Sequence, residues 1–526
     1  MKREKPVQGL ALPAWVLPAS IAALTFLAFL PALRNGFVNW DDDLFLYQNP
    51  FYRGLDWARL RWMFGAGAAA RCDQYIPLTW VSWAIDYLVW GAGPFGYHFT
   101  NLLVHCANAA LFFFVCRSLL AHASEGPSVD RTAAFAALLF SLHPLRVESV
   151  AWATERKDVL SSFFYIATVL AYLRYCASAP GERLRRFLAA LALFVCALLS
   201  KVSGLGLPLV LLVLDVYPLR RLSRASILEK TPFFVLSAAA LFAGLTAGKK
   251  LVCPLSEVGI PQRLALSVFG PSFYLWKSLV PFRLAAMYER PFPFHALSAP
   301  FVLSAVFVAA LTAAALALRK TRPALLAVWV SYFVLLGPVI GLVANGEQMA
   351  ADRYAYLSCL GWALLAASAL AESVPAGWAK PGGAALLLGL AALSWNQTKV
   401  WRDSETLWRH VLSVRPDTPL ARIDLGMALF ETGRPAEAAA EYRQALLARK
   451  TPYAYNFLGQ ALVRLGRPEE AVAQYREALK LVPGYADAHT NLGAVLGDLG
   501  RTEEAVAELD TALRLSPSRR RNRPSR

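Results

Sequence analysis

Apolar segments long enough to cross a lipid bilayer recur along the first 400 residues of this 526-residue chain. A membrane-spanning helix needs about 20 predominantly apolar residues, because the hydrocarbon offers the backbone no hydrogen-bond partners. With 57% hydrophobic and 17% charged residues, the composition excludes an ordinary soluble protein and predicts a polytopic membrane protein. About eleven segments are candidate spans, several of them short: 12–33, 99–117, 132–144, 158–175, 187–200, 203–218, 231–247, 299–318, 323–343, 354–371 and 382–396.

The basic residues predict which side of the membrane each loop faces, because positive charge is retained in the cytoplasm. The basic N-terminus and the linkers 174–186, 220–230 and 319–322 are all cytoplasmic if 264–280 does not cross the membrane completely. With eleven spans, the C-terminal region then lies on the non-cytoplasmic side. Segment 76–90 is short and rich in tryptophan and tyrosine, which predicts a helix lying in the interface, and we interpret 264–280 in the same way. The net charge of +17 therefore reflects membrane topology rather than nucleic-acid binding.

After Trp401 the apolar runs stop and a 34-residue period begins. The segments PYAYNFLGQALVRLGRPEEAVAQYREALKLVP and ADAHTNLGAVLGDLGRTEEAVAELDTALRLSP align in register, with Gly459 matching Gly493. This pattern predicts tetratricopeptide repeats, pairs of helices that approach closely at small residues. A third copy lies upstream, and 401–416 resembles the second helix of a partial repeat.

The predicted fold is therefore all-α, a polytopic membrane helix bundle followed by a short repeat solenoid. The predicted domains are 1–400 for the membrane bundle, 401–517 for the repeats and 518–526 for a basic, disordered tail. The seven cysteines lack CxxC or Cys/His spacing, which argues against a zinc site. A disulfide between Cys72 and Cys253 in two outer loops is left open.

The first charged string of the membrane part, WDDDLFLYQN, follows the first span and so lies on the outer side. Neighbouring carboxylates raise one another's pKa, which makes Asp41 and Asp42 candidate general bases. An acidic triplet is by itself a weak signal, and a solvated or cation-binding loop is the alternative interpretation.

Two further charged strings are predicted to face the same side. HPLRVESVAWATERKDVL, residues 143–160, contains His143, Arg146, Glu148, Glu155, Arg156, Lys157 and Asp158. Glu148 and Arg156 are eight residues apart, so on one helix they would lie within about a quarter turn of each other. In MAADRYAYLSCLG, Arg353 is suited to hold a phosphate and is followed by Tyr354. The alternatives are a self-paired interfacial loop for the first string and an interfacial anchor for the second.

Five ordered strings make the chain resemble a known family. FVNWDDD, PFGYHFTNLLVHCANAALFFF, HPLRVESVAWATERKD, LDVYPLRR and ADRYAYL, followed by the repeats, are similar to the transmembrane and tetratricopeptide-repeat O-mannosyltransferases and their bacterial relatives. The resemblance implies a GT-C glycosyltransferase that uses a polyprenyl-phosphate-linked sugar on the non-cytoplasmic face. It implies that Asp41 and Asp42 form the acidic pair, that His143, Glu148, Arg156 and Asp158 match the second motif, and that Arg353 with Tyr354 matches the third.

Residues and resemblance together predict a membrane protein O-glycosyltransferase that inverts configuration by a single displacement. The candidate catalytic residues are Asp41, Asp42 and Glu148, and the candidate donor-phosphate ligands are Arg146, Arg156, Lys157 and Arg353, with His143, Asp158 and Tyr354 in support. The sequence identifies no definite cofactor; two or three carboxylates would suit Mg²⁺ or Mn²⁺, and a metal site is left open.

The expected partners are a polyprenyl- or dolichyl-phosphate sugar, membrane lipids and an acceptor protein held by the repeats, with no nucleic acid. The expected location is a bacterial inner membrane with the repeats in the periplasm, or the endoplasmic reticulum membrane in a eukaryote. The alternative function is a non-catalytic, membrane-anchored scaffold whose repeats assemble envelope proteins.

Overall fold

The computed structural model describes residues 13–122, 127–248, 253–344, 346–373 and 376–515, and these residues are overwhelmingly helical. They form two compact units. The membrane unit comprises Met1–Phe37 and Asp41–Arg402, and the repeat unit comprises Val38–Trp40 and Asp403–Arg526. The all-α prediction is confirmed. The basic N-terminal residues and the tail 518–526 lie outside the described residues.

The membrane unit contains eighteen α-helices among its described residues. They are α1 Val16–Ala28, α2 Trp57–Phe64, α3 Ala66–Cys72, α4 Pro77–Trp90, α5 Pro94–Leu120, α6 Pro127–Ser141, α7 Val147–Ala151, α8 Arg156–Cys176, α9 Pro180–Ser200, α10 Leu207–Val216, α11 Arg224–Leu228, α12 Thr231–Ala247, α13 Ile260–Leu279, α14 Ala299–Ala317, α15 Pro323–Leu336, α16 Ala355–Ser358, α17 Leu360–Ser373 and α18 Ala376–Val400.

Short elements connect these helices at several breaks. A π-helical turn covers Asp43–Tyr47, and 3₁₀ turns cover Leu30–Arg34, Pro144–Arg146, Ala153–Glu155, Val202–Gly206, Gly337–Val339 and Asp352–Tyr354. The strands Tyr288–Glu289 and Gln348–Ala350 pair antiparallel, with Tyr288 opposite Ala350. Several helices begin with proline, whose fixed φ suits the first helical turn and whose missing N–H costs nothing there.

Four helices in the described part of the chain are long and apolar enough to cross a membrane: Pro94–Leu120, Ala153–Cys176, Arg224–Ala247 and Ala299–Ala317. The number rises to six if each of two bent helix pairs counts as one span. Three shorter apolar helices accompany them. The chain is therefore a membrane protein, but the predicted count of eleven spans is not confirmed. Neither α4 nor α13 is among the candidate spans, and their interfacial placement stays a prediction.

Helices α5 and α8 lie at the centre of the membrane unit, where α5 packs against α1, α6 and α8, and α8 packs against α9. Helix α4 turns Trp80 and Trp83 into a fully buried aromatic cluster with Phe45, whose ring stacks on Trp80 at 5.6 Å. Its opposite face, including Leu88, is exposed. All seven cysteines are free, so the disulfide left open between Cys72 and Cys253 is not formed.

The repeat unit follows the predicted period. Its helices are α19 Ser404–Val414, α20 Pro419–Glu431, α21 Pro435–Ala448, α22 Pro452–Arg464, α23 Pro468–Leu481, α24 Ala486–Asp498 and α25 Thr502–Leu515. Three helix pairs stack in order, and α19 packs against α20 as the second helix of a partial repeat would. A Cβ on Gly459 would lie 2.5 Å from the Tyr475 ring, so only glycine permits this close packing.

Candidate active site

The charged strings lie at helix breaks in the membrane unit. The chain bends by 58° between Ser128–Ser141 and Pro144–Ala151, and by 64° between Asp352–Ser358 and Leu360–Glu372. Non-helical backbone in a membrane protein is tolerated where it is buried in protein or lines a cavity, and such breaks are frequent at functional sites. The two breaks place the second and third strings side by side, since α7 contacts the 3₁₀ turn Asp352–Tyr354.

Glu148 and Arg353 join these two strings. The backbone N–H of Arg353 donates to Glu148 Oε2 at 3.1 Å, and its guanidinium pairs with the other carboxylate oxygen. Arg353 Nε also lies 3.7 Å from Glu155 Oε1, and Nη2 donates to Gln348 Oε1 at 3.2 Å. Two bonds from one carboxylate to one arginine fix the direction of the guanidinium. The structure thus brings together two residues that are 205 positions apart.

Glu155 extends the network to two lysines. Lys157 Nζ lies 3.3 Å from Glu155 Oε1, and Lys201 Nζ lies 3.2 Å from Glu155 Oε2. Lys201 also donates to Asp158 Oδ1 at 2.6 Å. These ion pairs are largely shielded from solvent, so they are screened less by salt than surface pairs are.

Asp41 is the accessible carboxylate next to this network. Its side chain is half-buried, and burial raises its pKa to about 6. The charges of Lys157 and Arg353 oppose that rise, while those of Glu155 and Asp43 add to it. A carboxylate with a pKa near 6 is still ionised at neutral pH but is a stronger base than an ordinary aspartate. Asp41 therefore has the accessibility and basicity that a general base needs.

Asp42 has a different environment, although the sequence treats the two aspartates alike. It is fully buried, and its Oδ1 accepts a hydrogen bond from the Thr154 N–H at 3.0 Å and another from the Thr154 hydroxyl. This ties the first charged string to the second. Asp43 begins the π-helical turn and is half-buried. The geometry favours Asp41 as the base and Asp42 as the residue that anchors the loop.

Arg156 does not join the site. Its guanidinium is fully buried and forms an ion pair with Asp86 Oδ2 at 2.7 Å. Its remaining bonds go to Ser82 Oγ at 2.6 Å, the Tyr97 carbonyl at 2.8 Å and Asn101 Oδ1. Every nitrogen of the side chain has a partner and, unlike Arg353, the side chain is inaccessible, which argues against the predicted role of Arg156 in binding a donor phosphate.

The predicted helical relationship between Glu148 and Arg156 is wrong. Helix α7 ends at Ala151, Trp152 is extended with ψ 119°, and the 3₁₀ turn Ala153–Glu155 precedes α8. The two residues therefore lie on different helices, and their spacing does not put them on one face. The indole of Trp152 instead lies beneath the cations of the network, 5.5 Å from Arg353 Cζ and 5.8 Å from Lys157 Nζ.

The other predicted residues lie close to the breaks. Arg146 is buried between the Phe140 and Tyr356 rings, 5.2 and 5.7 Å from their centroids, and donates to the Ala355 carbonyl. Within the described residues its Nε has no hydrogen-bond partner, and the side chain is only 2% exposed. Tyr354 packs its ring 5.0 Å from Arg353 Cζ.

His143 has a local structural role. Its Nδ1 accepts from the Leu145 N–H at 3.2 Å, and its Nε2 donates to the Ser278 carbonyl at 3.0 Å. Both ring nitrogens are therefore used to hold the break between α6 and α7. His143 supports the site through the backbone rather than by facing a substrate.

Sequence reasoning missed Lys201. It follows α9, between the apolar segments 187–200 and 203–218, which the sequence predicts to be separate spans. An isolated lysine between apolar runs is itself a sign of function, because a charge in a membrane protein is costly without a partner. That signal was available, but its partners Glu155 and Asp158 lie more than 40 positions away. No cluster of three or more metal-ligating side chains occurs among the described residues.

Comparisons with known proteins agree with this organisation. A family model for the tetratricopeptide repeat matches residues 388–455 and 458–520. The chain is 25% identical to human protein O-mannosyl-transferase TMTC1 over 501 residues, which covers 82% of this chain and 55% of the human protein. It is 32% identical to Xenopus laevis protein O-mannosyl-transferase tmtc2 over 178 residues, covering 32% of this chain and 20% of that protein. The chain thus spans about half the length of these curated relatives or less.

Among solved structures, ArnT from Cupriavidus metallidurans bound to undecaprenyl phosphate overlaps 90% of this chain and 81% of its own, with 16% identity and a TM-score of 0.39. That overlap is too weak to define a shared fold. The curated relatives and the repeat model confirm the family resemblance inferred from the five strings.

Proposed function

This chain is a relative of the transmembrane and tetratricopeptide-repeat protein O-mannosyltransferases, and from that premise we propose that it is a GT-C-type membrane glycosyltransferase. It moves a sugar, mannose or a similar hexose, from a polyprenyl-phosphate donor to serine or threonine hydroxyls of a protein. The reaction takes place on the non-cytoplasmic face. The repeats bind the acceptor and raise its concentration at the site.

The proposed chemistry is a single displacement. Asp41 takes the proton of the acceptor hydroxyl as that oxygen forms a bond to the anomeric carbon. The bond from this carbon to the phosphate oxygen breaks, polyprenyl phosphate leaves with the electron pair, and the anomeric configuration inverts. Arg353 and Lys201, each partly accessible, stabilise the leaving phosphate, with Lys157 and Arg146 as further candidates.

The observation that carries this proposal is the pairing of one accessible, basic carboxylate with a buried set of charges. Asp41 is half-buried and senses the charges of Lys157 and Arg353, which belong to two other strings. Burying charges in a membrane protein costs free energy, and such groups are retained where they have a function. Glu148 orients Arg353 and is better placed for that task than for proton transfer.

The alternative is a non-catalytic scaffold that anchors the repeats in the membrane. The three stacked helix pairs favour it, because such arrays bind many kinds of peptide. A scaffold does not need a basic carboxylate, however. The two functions make opposite predictions for one conservative substitution at Asp41.

We expect Asp41→Asn to lower transfer by about 10²-fold or more, because the amide cannot accept the proton. The assay uses the full chain in liposomes with polyprenyl-phosphate mannose and a serine- and threonine-containing peptide, and follows glycopeptide by mass spectrometry. Asp43→Asn is the matched control and should lose little. Asp42→Asn keeps an acceptor for Thr154 and should lose less than Asp41→Asn. Equal, small losses at all three positions would favour the scaffold.

The proposed location is a bacterial inner membrane with the repeats in the periplasm. Acceptor recruitment requires the repeats to lie on the same side as Asp41, so a reporter fused after Arg514 should be non-cytoplasmic. One fused at Leu222, in a basic linker, should be cytoplasmic. A cytoplasmic signal at Arg514 would separate the repeats from the proposed reaction and contradict acceptor recruitment.

A further inference from the structure

Three residues of the first outer loop belong to the repeat unit. Val38–Trp40 lie between Phe37 and Asp41, which both belong to the membrane unit, yet they cluster with Asp403–Arg526. They are the VNW of the FVNWDDD string, and they immediately precede the candidate base. The repeat unit thus includes a segment that is joined to Asp41 by one peptide bond.

Asn39 makes three hydrogen bonds to the first repeat helices. Its backbone N–H donates to Ser404 Oγ at 2.9 Å, and its Nδ2 donates to the Asp424 carbonyl at 3.0 Å. The indole Nε1 of Trp408 donates to Asn39 Oδ1 at 2.7 Å. Asn39 and Trp408 are 6% and 0% exposed, so these bonds are shielded from water. A buried polar group that loses such a partner is left desolvated without compensation, which makes this contact specific.

Aromatic packing strengthens the same contact. The Trp40 ring lies 4.6 Å from the Trp408 ring, and Val38 is almost fully buried. Asp403 caps helix α19 by accepting from the Thr406 N–H at 2.8 Å, which fixes the start of the helix that carries Trp408. Val38–Trp40 is therefore held by Trp408, whose own position is fixed by the capped start of α19.

Asp41 is consequently fixed on both sides. Two residues before it, Asn39 is bound by α19 and α20. One residue after it, Asp42 is bound to Thr154. Asp41 itself accepts from the Phe45 N–H at 3.0 Å through its carbonyl, which begins the π-helical turn. Little backbone freedom remains for Asp41.

We propose that Asn39 and Trp408 are positioning residues, through which the repeat unit sets the backbone that carries Asp41. The inference rests on the proposed function, in which Asp41 is the base. It gives the repeats a second task beyond holding the acceptor, since they complete the support of the catalytic carboxylate. A displacement of about 1 Å at a reacting group can cost about 10²-fold in rate, so a modest loosening is measurable.

The test compares Asn39→Ala and Trp408→Phe with a matched control. Trp408→Phe removes the indole N–H but keeps an aromatic ring against Trp40. Asn456→Ala is the control, because Asn456 is also a buried asparagine of the repeat unit and accepts from Asn491 Nδ2 at 2.9 Å. All variants are assayed as full chains with polyprenyl-phosphate mannose and a short serine peptide added to saturation.

We expect Asn39→Ala and Trp408→Phe to lower kcat by about tenfold or more with little change in the KM for the peptide, while Asn456→Ala retains kcat. The double variant Asn39→Ala/Trp408→Phe should lose little more than either single variant, because both remove the same contact. If both variants match Asn456→Ala in kcat, or alter only the KM, the positioning role is overturned.

Amide hydrogen exchange separates this inference from the proposed function. In Asn39→Ala, exchange at the Phe45 N–H and across Asp43–Tyr47 should rise, whereas Asn456→Ala should leave it unchanged. If the wild-type chain transfers no sugar but this exchange difference is present, the proposed function fails and the structural coupling stands. If the wild type transfers sugar and neither kcat nor exchange changes, the coupling is wrong.

Discussion

One ion pair of the membrane unit and one of the repeat unit are opposite extremes of burial. In the membrane unit, Arg156 and Asp86 pair with side chains 0% and 4% exposed. In the repeat unit, Arg467 and Glu470 pair with side chains 46% and 51% exposed. A buried pair places each group accurately but leaves a costly charge when one partner is lost, whereas an exposed pair is screened by water and salt. We therefore expect the buried pair to stabilise the fold and the exposed pair to contribute little beyond solubility.

The largest expected effect comes from breaking the buried pair. We expect Arg156→Met to reduce stability by about 3–5 kcal/mol, because the buried Asp86 loses its cation and keeps the Thr100 hydroxyl, at 2.7 Å, as a hydrogen-bond donor. Denaturant unfolding of the purified chain in detergent measures the loss. The double variant Arg156→Met/Asp86→Leu should recover part of it. If Arg156→Met were as stable as wild type but bound the donor poorly, the result would support the predicted role of Arg156 in binding the donor phosphate.

The next effect concerns Asp41, a half-buried carboxylate that is intermediate between the buried and the exposed ion pairs. Because Asp41 acts unprotonated and burial raises its pKa to about 6, transfer should be flat above that pH. It should fall by about tenfold for each unit below it, as a rate that needs a free base does. The kcat of the liposome assay measured between pH 4.5 and 8 gives the profile. Asp43→Asn should move the acid limb slightly toward lower pH, because the Asp43 charge makes a small contribution to the rise in the Asp41 pKa. A wild-type limb near pH 4 would show an ordinary, solvated carboxylate.

Packing in the repeat unit should matter more than its exposed charges. Gly459→Ala puts a Cβ 2.5 Å from the buried Tyr475 ring, and overpacking of this kind costs about 1–3 kcal/mol. Gly497→Ala is the matched control, since its Cβ would lie 3.9 Å from Ala505 Cβ. That change should be neutral or stabilise by up to about 1 kcal/mol, the difference in helix propensity. Thermal unfolding and hydrogen exchange across α22–α25 distinguish them, and equal effects would contradict the packing argument.

The repeats were readable from sequence because their information is local and periodic. Gly459 and Gly493 recur at a fixed spacing and meet their partner helices within the same repeat. The all-helical class of the membrane part was equally readable from apolar runs. Its span count was not, because helices such as α6 and α17 are continued through sharp bends that hydropathy does not reveal.

The candidate site was predicted in part. The structure brings Glu148, Lys157, Asp158 and Arg353 into one network beside Asp41, because each string ends at a helix break. Arg156 instead pairs with Asp86, on the other side of the break at Trp152, and the sequence gives no sign of that pairing. The contact between Asn39 and Trp408 joins residues 369 positions apart. One sequence contains no local signal for such a pairing.

The smallest expected effect concerns the exposed ion pairs of the repeat unit. Arg467→Ala should change the free energy of unfolding by about 0–0.5 kcal/mol, since the pair with Glu470 is local, exposed and screened. Arg434→Ala should cost somewhat more. Arg434 pairs with Glu437 in the equivalent position but also reaches Glu405 at 2.8 Å, which connects α21 to α19.

The two arginine variants are measured together by denaturant unfolding at low and high salt. The Arg434 variant should approach wild type as salt rises, because the attraction it loses is already screened there. A loss above about 1 kcal/mol for Arg467→Ala would mean that exposed pairs in this array are structural, contrary to the usual value of such pairs. The exposed and the buried ion pairs would then differ only in degree. The burial of an ion pair could not be used to decide which pairs stabilise the fold of this protein.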